Sequence, residues 1–148
     1  MNKDTRSLLA LTLYCTLAAT LFGFGAVVYS FRSAYEELGR EPLIQATSAL
    51  VYLGLALILV FKGGWRGVLA ALFMVIGATA ISWSLFPLSL GLAGIEDPEG
   101  YAERFANFSR PSYWEWAVFD IVFVGGGSAL AQGLRVMVNV NPRGSRDE

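Results

Sequence analysis

Residues 114–138, WEWAVFDIVFVGGGSALAQGLRVMV, carry the reading that decides the fold. About 20 mainly apolar residues suffice to cross a bilayer as a helix, and this run is long enough. It also holds residues that an idle span would avoid: Asp120, the glycines 125 to 127, then Gln132 and Arg135. Wound as a helix, Asp120, Val124, Gly127, Ser128, Ala131 and Arg135 share a sector of roughly 100°. Gly125, Ala129 and Gly133 make a separate small-residue ridge, the kind that lets helices pack closely in lipid.

Depth follows from the helical rise. Asp120 lies about 9 Å beyond Trp114, past the interface but short of the midplane. Ionisable groups at such depths face the bundle interior or a water-filled cavity by default. Two roles are open to Asp120: a proton- or cation-coupling group, or a structural acceptor for hydroxyls on neighbouring helices. Ser128 and Gln132 are the other polar intramembrane candidates. Arg135 sits about 22 Å along the helix from Asp120, too far to pair with it. Its stem suits snorkelling to the headgroups, and Tyr113, Trp114 and Trp116 begin an aromatic belt at the other end.

Outward from this span the chain remains a membrane sequence. Its 148 residues are 55% hydrophobic and 16% charged, with mean hydropathy +0.51; soluble domains average about 25% charged. Ser7 to Phe31 is uncharged. That run outlasts the roughly 7–15 residues of a signal-peptide core, so it reads as a retained first span. Thr12, Thr16, Ala19 (or Thr20) and Gly23 recur along it at helical spacing, a stripe suited to packing.

A second span, 43–61, follows Pro42, whose missing N–H suits a first helical turn. It ends at the basic, glycine-rich turn 62–67, where Trp65 fits an interfacial anchor. The third span, 68–87, is rich in small residues, Gly77 among them, and suits a central helix. Pro87 should end or bend it. Residues 88–94 fit either a short extension or a re-entrant turn.

The connector 95–113 is the longest polar stretch. Asp97-Pro98 resembles a helix N-cap followed by proline, and Tyr101, Phe105 and Phe108 then share one face. The expectation is a short amphipathic interfacial helix that stops at Pro111, before the last span. A polar tail, 139–148, follows.

The fold class is therefore all-α: a single membrane domain, a four-transmembrane-helix bundle in up-down order. Four spans put both termini and the 62–67 turn on one side. Lys3, Arg6, Lys62, Arg66, Arg135, Arg143 and Arg146 lie there, against Arg32, Arg40, Arg104 and Arg110 opposite, seven to four. The positive-inside rule makes that side cytoplasmic, in a cell (plasma or inner) membrane.

Composition narrows function. There is no histidine and only one cysteine, which removes bis-His haem ligation, ordinary zinc sites and His-based acid/base catalysis. A net charge of -1 argues against a nucleic-acid partner. The acidic connectors lack calcium-loop spacing. No catalytic constellation, cofactor or metal site is expected. The leading expectation is a non-catalytic accessory, assembly or scaffolding subunit that contacts the lipid bilayer and other membrane subunits, or further copies of itself. The alternative is a small oligomeric transporter or channel that uses Asp120.

Overall fold

A computed structural model describes residues 3–34 and 41–140; within these, the side chains of 27, 30–34, 41–45, 101–116 and 140 are not described. Five helices follow in order: α1 (Lys3–Ala34), α2 (Glu41–Gly63), α3 (Trp65–Ser84), α4 (Phe86–Leu92) and α5 (Pro98–Val140). No strand occurs among the described residues. Four of the helices contain stretches long and apolar enough to cross a membrane: Lys3–Ala26, Ala46–Gly63, Trp65–Ser84 and Ala117–Asn139.

The third helix is central, touching α1, α2, α4 and α5. Its small residues allow this, since Ala71 and Ala78 are fully buried and place little bulk between the axes, while Met74 and Val75 fill the core beside them. Around them the core gathers Cys15 and Ala19 from α1, Tyr52, Ala56 and Leu59 from α2, and Val124 from α5. The outward faces are apolar: Leu13, Leu17, Leu50, Phe73, Val122 and Leu130 are all exposed. Such a surface belongs in lipid.

The α2–α3 turn is tight. Gly64 has φ +57° with ψ -130°, a nearly glycine-only region that costs another residue about 1–3 kcal/mol. At Gly67 a Cβ would collide with the carbonyl oxygen of Leu59. The two helices therefore meet backbone to backbone immediately after reversing direction.

At the other end of α3 the expected boundary shifts. The helix stops at Ser84 rather than near 87, and Leu85 (φ -92°, ψ 2°) breaks it from α4. Pro87 falls in the first turn of α4, where its missing N–H forfeits no bond within that helix. Residues 88–94 form no long extension. They complete the short α4, which packs against α1 and α5 and closes with Gly94 (φ +89°), whose N–H donates to Gly91 at 3.1 Å.

The largest departure lies before the last span. Helix α5 does begin at Pro98, with the Asp97 carboxylate accepting from the Gly100 N–H at 3.1 Å. It then runs on to Val140 without the expected stop at Pro111. Proline's fixed φ near -65° is itself helical, so within a helix it costs one hydrogen bond and a local clash without forbidding continuation. The separate interfacial helix is thus the first part of one helix about 65 Å long, longer than the roughly 30 Å hydrocarbon core. Its expected Tyr101–Phe105–Phe108 face lies outside the described side chains.

Candidate functional site

Two glycines seat α5 between its neighbours. A Cβ at Gly125 would come within 2.8 Å of Leu72 on α3, and one at Gly127 within 2.8 Å of Leu53 on α2. The face between them carries Val124 and Ser128, both 0% exposed. Gly126 meets nothing within 4 Å and points away from the chain. The three consecutive glycines thus serve unequal ends, with the first and third admitting a neighbouring leucine each.

Along the buried face, one apolar residue interrupts a series of polar ones spaced by turns of the helix. Asp120, at the outer end, is half-buried. Among the described residues it has no hydrogen-bond or ion-pair partner. One turn on, Val124 belongs to the core cluster. Ser128 follows, its Oγ buried and without a partner among the described residues, as is Oε1 of Gln132 one turn further. The Gln132 side chain lies against the α2–α3 turn, its Nε2 3.4 Å from where a Gly64 Cβ would stand.

Arg135 closes the series. Its Nη1 donates to the carbonyl oxygens of Phe61 at 3.0 Å and Val60 at 3.3 Å, and the guanidinium lies 6.0 Å from the centre of the Phe61 ring. The last carbonyls of a helix lack intrahelical donors and carry partial negative charge. The arginine therefore caps α2 from α5 while remaining exposed.

The small-residue candidates divide. Thr16 and Gly77 meet, with Thr16 Cγ2 3.4 Å from the position of a Gly77 Cβ. The hydroxyls of Thr12, Thr16 and Thr20 each donate to the carbonyl four residues earlier on α1, at 2.7 to 2.8 Å. With its donor used on its own helix, Thr16 offers a methyl group to α3. Gly23 leaves a notch in which the Tyr52 hydroxyl of α2 and the Ser82 Oγ of α3 converge. Ala129 is half-buried. A Cβ at Gly133 would meet nothing within 4 Å, so the third member of that ridge makes no close approach within the chain. Trp65 is exposed beside the α2–α3 turn; the Trp114 and Trp116 side chains lie outside the described set.

Sequence reasoning had no access to the Gly23–Tyr52–Ser82 convergence or to the cap made by Arg135. Each joins residues on different helices, a relation that the pattern along one helix does not contain. No group of three or more potential metal-ligating side chains occurs among the described residues.

No protein-family model, curated protein or solved structure matches the chain. What the residues themselves support is a small polytopic membrane protein with four candidate spans in contact with the lipid bilayer.

Proposed function

We propose that this protein is a non-catalytic accessory, assembly or scaffolding subunit that packs against other membrane proteins or further copies of itself. The observation that carries this reading is Val124, fully buried between Asp120 and Ser128 on one face of α5. A coupling carboxyl needs a polar or hydrated path across the membrane, and an apolar side chain in the packed core interrupts that line. Several other polar groups serve the fold: the hydroxyls of Thr12, Thr16 and Thr20 bond their own helix and Arg135 caps α2. With no histidine and one buried cysteine, the chain offers no catalytic set, and we assign it no enzymatic activity.

The test is purification in mild detergent with identification of what remains bound. A partner membrane protein at fixed stoichiometry, or a discrete homo-oligomer, is the expected result. Proton- or cation-linked flux in liposomes with no partner protein present, lost in Asp120→Asn, would replace this reading by the second one. That alternative, a small oligomeric transporter or channel, is favoured by one observation: Asp120 is half-buried with no partner among the described residues.

The proposed setting is the cell membrane with both termini cytoplasmic, on the seven-to-four basic asymmetry. Reporters fused after Glu148 and within 95–113 should then give opposite signals. Equal signals would overturn the orientation.

A further inference from the structure

We propose that the end of the bundle carrying the start of α1, the α2–α3 turn and the last turns of α5 binds the headgroups of anionic phospholipids. Three contacts bring these segments to one level. Leu8 of α1 packs against Gly63, with 3.0 Å from its Cδ2 to the place of a Gly63 Cβ. Gln132 of α5 lies against Gly64. Arg135 reaches the carbonyl of Phe61.

These contacts gather Lys3, Arg6, Lys62, Arg66 and Arg135 at one end, and every one of the five is exposed. Asp4 is the only acidic residue there among the described ones. None of the five cations forms an ion pair among the described residues. Among the described residues this charge is therefore not neutralised by ion pairing. Arg135 spends Nη1 on neutral carbonyls, and the rest of its guanidinium, which lies over the Phe61 ring, makes no further hydrogen bond or ion pair among the described residues. A planar guanidinium edge is suited to two oxygens of a phosphate.

The surroundings select a lipid over a soluble anion. Phe61, Trp65, Leu134 and Val138 adjoin these cations and are themselves exposed. A ligand that covers both must present anionic oxygen above and hydrocarbon below, which a phospholipid does and a free phosphate does not. Juxtamembrane basic residues near an anionic leaflet each add attraction of this kind. The inference stands whether the protein is a scaffold or a transporter, because it concerns only the charged rim.

The experiment uses the full chain in neutral detergent, with native mass spectrometry of bound lipid. Phosphatidylglycerol and phosphatidylcholine of matched chains are the probes, and inorganic phosphate and polyglutamate are the competitors. Phosphatidylglycerol should bind about fivefold or more tightly than phosphatidylcholine. The variant Lys62→Gln/Arg66→Gln, which touches no packing contact described above, should lose most of that preference. Arg135→Gln should lose it further, and Arg32→Gln/Arg104→Gln should leave it intact. Equal binding of the two lipids overturns the proposal, as does a preference unchanged in the Lys62/Arg66 variant. Displacement of phosphatidylglycerol by millimolar phosphate would make the site one for a free anion and also overturn it. Polyglutamate binding without a phosphatidylglycerol preference would assign the rim to an acidic protein segment instead.

Discussion

Arg135 of α5 donates a hydrogen bond to the carbonyl of Phe61 in the last turn of α2, at 3.0 Å. The neighbouring Val60 carbonyl already accepts from the Gly64 N–H at 2.8 Å; Arg135 is the interhelical donor that reaches Phe61. The two helices are thereby joined at the end where α2 turns into α3. Arg135→Met keeps the apolar stem and removes the donors. Thermal unfolding in detergent should show a loss of about 1.5–3 kcal/mol, the range for hydrogen bonds to charged groups. Arg135→Lys, which keeps one compact donor, should lose less. Wild-type stability in Arg135→Met would mean that water caps α2 equally well.

Glycines at three positions should respond differently to the same substitution. Gly67→Ala drives a Cβ into the Leu59 carbonyl and should destabilise by about 3 kcal/mol or abolish folding. Gly64→Ala should cost about 1–3 kcal/mol through its positive φ. Gly133→Ala meets open space and should be neutral or stabilising by up to ~1 kcal/mol. Equal effects at Gly67 and Gly133 in a detergent melting series would contradict the packing at the turn.

The α1–α3 contact separates a hydroxyl from a methyl role. Because Thr16 Oγ1 bonds the Thr12 carbonyl at 2.8 Å while Cγ2 faces Gly77, Thr16→Val should change stability by less than about 1 kcal/mol. Gly77→Leu adds bulk to the same contact and should cost about 1–3 kcal/mol. A severe Thr16→Val defect would show that the hydroxyl also serves another helix.

Ser128 Oγ is buried without a partner among the described residues. A buried polar group left unpaired costs about 1–3 kcal/mol, so Ser128→Ala should leave stability unchanged or raise it by about 1 kcal/mol. A clear fall in melting temperature would reveal a hydrogen bond made by that hydroxyl in the membrane.

Asp120 separates the two functional readings. If it is neither coupled to transport nor held by a donor, Asp120→Leu should fold at normal yield with unchanged or higher stability, since an intramembrane carboxyl is costly to keep. Stability falling in Asp120→Leu but not in Asp120→Asn would mark a structural acceptor. Flux lost in a stable Asp120→Asn form would mark a coupling group.

Much of the architecture was legible because its causes are local. Mainly apolar runs of bilayer length set the helices, and Asp97-Pro98 marked the start of α5 through a cap made within three residues. Small residues at 70, 71, 77 and 78 pointed to a central third helix, and α3 does touch the other four. The misread boundaries share a cause. Pro87 was expected to end or bend span three and Pro111 to end the connector helix; α3 stops just before Pro87, which sits in the first turn of α4, whereas Pro111 lies inside α5. A proline's effect depends on whether the next turns are held by neighbours, which no short window reveals.

The polar face of α5 divides in the same way. By itself the sequence determined that Asp120, Val124, Ser128 and Arg135 share a sector, because a helix has one period. Only tertiary structure decided that Val124 plugs that face, that Gly125 and Gly127 admit leucines from different helices while Gly133 admits none, and that Arg135 caps α2. These outcomes depend on how far each helix is rotated and slid against the next. Rotation and offset come from the fit of whole surfaces, and one helix's periodicity contains neither.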